Sequence, residues 1–219
     1  MKKKDYKNTL LFDFPELAYN WCVSRRQFIK VAGMGAFGVA LGSSMFSGCT
    51  KEHVEQFVNW IAELPQLIND YRNQNGLVSI KLSGKLSAVA MAHIRDLSTY
   101  HPQQACGAGG NLHSWSNNGN WQGKYGDGNW KGCCYPSDHS NKPCMWDKPK
   151  EIAGYQSNGY EIAHQGSSTA QGALNSWKNS PLHNDVILSK NIWANFPWKA
   201  IGAVCGGGYA CAWFGTLKD

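Results

Sequence analysis

Charge is scarce in this sequence. Asp, Glu, Lys and Arg together make up 16% of its 219 residues, and most of the +6 formal net charge belongs to the N-terminus. Residues 1–48 hold seven Lys and Arg against three Asp and Glu, while residues 49–219 hold fourteen against twelve. A nearly neutral main body without a basic stripe excludes the phosphate-tracking surface that nucleic-acid binding needs. No apolar run is suited to spanning a bilayer. The stretch Val31 to Phe46 is short for that and is rich in Gly and Ala, as expected of the apolar core of an export signal. There is no phosphate-binding glycine loop, no internal repeat, no Cys-x-x-Cys pair and no His-Glu-x-x-His spacing. Nucleotide chemistry, a solenoid, a zinc ribbon and the single-helix metalloprotease site are therefore all without support.

What is present begins with an address. Four lysines, Lys2, Lys3, Lys4 and Lys7, precede Ser24-Arg25-Arg26-Gln27-Phe28-Ile29-Lys30, which resembles the twin-arginine export signal of bacteria. The apolar run ends in Met45-Phe46-Ser47-Gly48-Cys49, similar to a bacterial lipoprotein box. On that reading residues 1–48 are removed and Cys49 carries the acyl anchor. This places the chain outside the cytoplasm, in the periplasm or at the cell surface, and holds it to a membrane. Cys22 leaves with the signal. Cys106, Cys133, Cys134, Cys144, Cys205 and Cys211 remain, an even number in an exported chain, and predict three disulfides. The adjacency of Cys133 and Cys134 favours disulfides over a structural zinc site. Cys205 and Cys211 flank a glycine turn and are expected to bridge it, with the other four pairing inside 106–144 in an order the sequence leaves open.

The body of the chain reads as alternating helices and a Cys-rich stretch. Val54, Phe57, Val58, Ile61, Leu64, Leu67, Ile68 and Tyr71 recur at helical spacing over Thr50–Gln74. Pro65 should kink that helix or restart it, and Asn75-Gly76 should stop it. Ser83 is placed to cap a second helix reaching about Tyr100, with His93 on or beside its apolar face as a packed core histidine. From Cys106 to Lys150 no helical period survives; Gly, Asn, Trp, Ser and Cys dominate. So long a loop is either functional or held by crosslinks. Trp115, Trp121, Trp130 and Trp146 suit either the cover of a cleft or a small satellite core. A strand is expected around Tyr160. A third helix should be capped by Ser167 or Ser168, present Ala170, Ala173, Leu174 and Trp177 on one face, and stop at Ser180-Pro181. Two closing strands, Ala200–Cys205 and Tyr209–Thr216, surround Gly206-Gly207-Gly208.

Taken in order, four stretches resemble the CAP superfamily, which includes cysteine-rich secretory proteins, antigen 5 and pathogenesis-related 1 proteins. They are Ile68 to Leu77, Leu82 to Leu97, Gly159-Tyr160-Glu161-Ile162 in the position of the family's Gly-Glu-Asn, and Trp177 to Leu188 in that of the bacterial branch's Ser-Pro-Gly-His. The terminal Ile201-Gly202-Ala203 and Trp213-Phe214-Gly215 fit the closing hairpin. The likeness covers 65–219, after an N-terminal helix or linker at 49–64, with 106–150 as a Cys- and Trp-rich insertion. It departs where Ile162 follows the Glu, where Leu182 precedes the second His, and where Gln171 and Asn175 stand in place of a second acidic residue.

The resemblance implies an α+β fold, a three-layer α-β-α sandwich around a central antiparallel sheet with an open cleft. It also implies that His113, Glu161 and His183 line that cleft and, in some members, hold a divalent metal such as zinc. Trp115 and Tyr160 would rim it. Two readings of function follow. One is an extracytoplasmic binding module for a lipid, glycan or peptide, since aromatic rims offer apolar area with a polar edge. The other is a metal-assisted hydrolase, since two neutral imidazoles and a carboxylate leave a zinc position open for water.

Overall fold

The structure, a computed structural model, describes residues 51–123, 126–167 and 169–219. The export signal and Cys49 lie outside the described residues. The chain divides into two compact units, Met1–Trp60 and Ile61–Asp219, and the fold set out below is that of the second. Among the described residues no helix is long and apolar enough to cross a membrane.

The first helix, α1, is continuous over Lys51–Gln74 and passes through Pro65, where the sequence suggested a kink or restart. Burial of Ile61, Leu64 and Ile68 on either side holds the helix together across the hydrogen bond a proline removes. It ends in a turn at Gly76, whose φ of 75° suits glycine. The two-residue strand β1, Lys81–Leu82, leads into α2, Gly84–Tyr100. Ser83 caps α2 as the sequence predicts, its Oγ accepting from Leu86 N at 3.0 Å. Alanines at 88, 90 and 92 let this helix sit deep, buried on nearly every side.

Residues 102–153 carry more local structure than their composition suggests. Three short helices, α3 (Pro102–Ala105), α4 (Pro143–Trp146) and α5 (Lys148–Ala153), accompany a hairpin of β2 (Asn120–Gly123) and β3 (Gly126–Asn129). Two disulfides, Cys106–Cys134 and Cys133–Cys144, tie the segment together, both within the interval expected.

The principal sheet has the order β1-β5-β6-β4, with β4 at Gly159–Gln165, β5 at Ala200–Gly206 and β6 at Tyr209–Gly215. It is antiparallel except where β1 runs parallel to β5. The β5–β6 turn uses Gly207 and Gly208 at φ 61° and 81°, values a side chain would resist. Between β4 and β5 lie α6 (Ala170–Lys178) and α7 (Pro181–Ile187). The cap of α6 is Thr169, whose Oγ1 accepts from Gly172 N at 3.1 Å, rather than Ser167 or Ser168. Pro181 closes α6 by opening α7 at its first position, where a proline lacks nothing.

Strand alternation then assigns the layers. Tyr160, Ile162, Ile201, Ala203, Cys205, Ala210, Ala212 and Phe214 pack on Leu64 and Ile68 of α1, on Leu174 and Trp177 of α6 and on Val186 and Ile187 of α7. The opposite face carries Glu161, Gly202, Cys211 and Trp213, and it meets α2. At Gly202 an added Cβ would lie 2.1 Å from the carbonyl carbon of Leu86 and the nitrogen of Ser87, so α2 rests directly on the β5 backbone. The outcome is a helix–sheet–helix sandwich.

The same alternation overturns the predicted Cys205–Cys211 disulfide. Cys205 faces Ala210 across the hairpin and Cys211 faces Val204, so successive register positions send the two sulfurs to opposite sides of the sheet. Cys205 Sγ lies 3.8 Å from the Ser167 carbonyl in one core; Cys211 Sγ lies 3.8 Å from His93 Nδ1 in the other.

Candidate functional site

Three layers meet at β4, the edge strand of the sheet. An edge strand leaves alternate backbone N–H groups without a strand partner. The Glu161 N–H is covered by Met145, which approaches with Sδ at 3.3 Å from α4. The Glu161 side chain is buried on the α2 face, and both its oxygens are engaged. Oε1 lies 2.5 Å from His93 Nδ1, and Oε2 lies 2.8 Å from His113 Nδ1. Burial alone would raise this carboxyl. The two histidines, through charge and hydrogen bonds, outweigh it and hold the group below its ordinary value.

Each histidine is seated by sequence-local means. His93 comes from the third turn of α2. Its Nε2 donates to the Ser114 carbonyl at 3.1 Å, and its ring stacks on Trp115 with centroids 3.9 Å apart and planes 8° from parallel. Three residues further along α2, Asp96 accepts from Ser116 N at 2.8 Å and from Ser116 Oγ at 2.5 Å. One helix thus grips the loop 113–116 at two points a turn apart. The loop is braced from outside as well. Trp115 and Cys133 exchange backbone hydrogen bonds at 2.9 Å, and Ser114 Oγ accepts from Tyr135 N at 3.0 Å. His113 packs edge-on against Tyr135, whose phenol is raised by burial and by Glu161.

With Glu161 ionised, both Nδ1 atoms facing it donate. His93 then carries protons on both nitrogens, because its other neighbour is a carbonyl that only accepts. His113 keeps Nε2 without a hydrogen bond in the described structure, and its side chain is 12% exposed. His183 stands on α7, half-buried. Its ring is lowered to about 4, first by burial and then by the charges of His113 and His164. It makes no hydrogen bond to Glu161. His113 belongs to the α2 side of the sheet and His164 to the α6 side, where it meets Ser176 Oγ at 3.1 Å. His183 is thus close enough to both histidines to feel their charge. Behind His93, the Cys211 thiol is pushed well up by burial and by Glu161.

A family model for the cysteine-rich secretory protein family, CAP, matches residues 66–209. The chain belongs to this family. Two solved structures of bacterial CAP proteins resemble it at low identity. A cysteine-rich secretory protein from Staphylococcus aureus subsp. aureus Mu50 is 13% identical, covering 71% of this chain and 38% of its own, with a TM-score of 0.43. An extracellular protein containing a SCP domain from Bacillus anthracis str. Ames is 16% identical, covering 79% and 45%, with a TM-score of 0.46. This chain spans less than half the length of either. Comparison with curated sequences gives no match.

Set against the family expectation, this CAP chain brings His113 and Glu161 into direct contact and leaves His183 within electrostatic reach of His113. Two expected rim residues do not rim anything. Tyr160 follows the pleat away from Glu161 into an aromatic cluster with Trp146, Trp193, Phe196 and Trp198. Trp115 is buried under His93, a support instead of a contact surface. His93 and Cys211 also lie against Glu161, a juxtaposition that the sequence did not suggest. His93 reads correctly as a packed, hydrogen-bonded core residue, but its partner is the site's own carboxylate. A shallow hollow of about 180 Å³ lies elsewhere, lined by Trp146, Asp147, Lys150, Gln156, Ser157 and Asn158. None of the His and Glu residues gathered at β4 lines it.

Proposed function

We propose that this chain is an exported, extracytoplasmic binding protein, anchored through Cys49. On this reading His113 and His183 hold a divalent metal, with zinc the best match, next to a lipid, glycan or peptide ligand. The observation that carries the proposal is the Glu161–His113 pair. A histidine that donates Nδ1 to a buried carboxylate and keeps Nε2 free is oriented as metal-bound histidines are. His183, kept neutral down to about pH 4, supplies a second imidazole in the form a metal requires. Both Glu161 oxygens face histidines, and the one next to His113 serves to orient that ring. Bound zinc would supply Lewis acidity at this place. Export is supported by the two disulfides, which persist in oxidising compartments.

Calorimetric titration of the natively folded full-length chain with zinc at pH 7.5 tests the reading. Binding should be abolished in His113→Ala and in His183→Ala, and weakened about 10- to 100-fold in Glu161→Gln. Equal affinity in wild type and His183→Ala would sink it. The hydrolase reading draws on the same pair, since a histidine backed by a carboxylate is also half of a general-base arrangement. Zinc-dependent ester hydrolysis that disappears in His113→Ala would establish that reading over simple binding.

A further inference from the structure

Beside His113 lies a second cluster with a different chemistry. His93 from α2, Glu161 from β4 and Cys211 from β6 all point into the space between sheet and helix, and their ligating atoms lie within 4.8 Å of one another. Cys211 faces Ala163 across the β4–β6 ladder, two positions along from the Glu161–Trp213 pair, which puts it diagonal to Glu161 on the same face. All three residues are buried. We propose that His93, Glu161 and Cys211 form an interior site for a thiophilic divalent cation, zinc in the first instance, taken up as the chain folds.

The donor set and its surroundings support this. His93 gives its Nε2–H to the Ser114 carbonyl, the outer hydrogen bond that fixes the tautomer of a metal-bound histidine. That leaves Nδ1 aimed at Glu161 Oε1 and 3.8 Å from Cys211 Sγ. Two acceptors cannot face each other at 2.5 Å without something positive between them, either a proton or a metal ion. Without metal, the cluster is imidazolium, carboxylate and thiol, with no net charge. With metal, it is neutral imidazole, carboxylate, thiolate and a 2+ ion, again with no net charge. The exchange releases two protons, one from Nδ1 and one from Sγ, and buries no uncompensated charge. Nitrogen, sulfur and a single carboxylate favour zinc over magnesium or calcium, which take oxygen ligands. Tetrahedral coordination needs an N···O separation of about 3.3 Å, so the Glu161 carboxylate must turn away from His93 by a fraction of an ångström. Glu161 Oε2 can still serve His113, so the interior site uses neither His183 nor Nε2 of His113.

Cobalt is the probe, because a thiolate ligand gives it a near-ultraviolet charge-transfer band that nitrogen and oxygen ligands do not. The full-length chain is unfolded with disulfides intact, refolded with cobalt and freed of excess metal. We expect one retained equivalent with that band. It should be lost in Cys211→Ser and in His93→Gln, and kept in the double variant His113→Gln/His183→Gln. Circular dichroism confirms which variants have refolded. Absence of the band from refolded wild type overturns the proposal whatever the variants do. A band that survives in Cys211→Ser overturns it too, since the sulfur would then be another. Failure of the zinc titration at the surface site with retention of this band would refute only the earlier reading, because native-state titration does not load a closed site.

Discussion

The titration of His183 gives the sharpest quantitative prediction. Its ring is lowered from an ordinary 6.5 to about 4 by burial and by His113 and His164. In the unfolded chain it takes up a proton near pH 6.5; in the folded chain it does so only near 4. Between those values the unfolded state holds one more proton, so stability falls as pH is lowered and is unaffected above 6.5. A fully buried group with this shift would contribute about 3 kcal/mol to the loss. His183 is only partly buried, and solvent screening brings the expected loss to about 1.5 kcal/mol, or about 3–6 °C in melting temperature for a unit of this size. Glu161 works in a separate window. Its carboxyl is held below its ordinary value, so its stabilisation is intact above about pH 4.5 and disappears only at lower pH. Urea unfolding at pH 7.5, 6.0 and 4.5, with a chelator present and disulfides intact, isolates the histidine. Wild type should lose stability along that series more steeply than His183→Gln by about 1.5 kcal/mol. Parallel slopes in the two proteins would refute the lowering of His183 by its surroundings.

Four further outcomes follow from contacts elsewhere. Gly202→Ala should destabilise by at least the 1–3 kcal/mol typical of overpacking, because the new methyl meets the α2 backbone, which cannot turn aside; thermal melts read this directly. His93→Leu leaves Glu161 short of one of its two partners in a buried position and should cost about 3–5 kcal/mol, again by melting. Removing Cys106–Cys134 by paired serine substitution should cost about 3.6 kcal/mol and removing Cys133–Cys144 about 2.8 kcal/mol, from the lengths of the loops they close. Peptide mapping of the unreduced protein should show both linked pairs and no peptide joining Cys205 to Cys211.

Much of the fold was legible because it rests on local signals. Ser83 before an Ala-rich apolar period, Pro181 after Ser180, and three consecutive glycines between two apolar runs each name a boundary by mechanism. Pro65 does not restart the helix, because a single missing hydrogen bond is cheap beside the burial of Leu64 and Ile68. The Cys205–Cys211 pairing misled for a geometric reason: a turn brings two cysteines near in sequence, but the pleat decides which side each sulfur takes. Of the three residues expected to meet, His113 and Glu161 are in contact, a pairing their order along the chain suggested. The interior of the site was not legible. His93 and Cys211 join Glu161 only through the packing of α2 on the sheet, and no spacing in the sequence encodes that contact. Tyr160 and Trp115 failed as rim residues because aromatic character alone does not distinguish a lining from a support.

The gripping of loop 113–116 by α2 on one side and by a disulfide-tied segment on the other has a consequence for timing. The sandwich of α1, α2, the sheet, α6 and α7 is assembled from apolar contacts that require no oxidant. The loop that seats His113 is tied to the crosslinks, because Trp115 pairs with Cys133, itself bonded to Cys144 and next to the Cys134 that is bonded to Cys106. A freshly made, reduced chain would therefore be a folded body with an unfinished edge. On the binding function proposed above, oxidation would complete the site, and the compartment in which it happens would decide where the protein first becomes competent to bind.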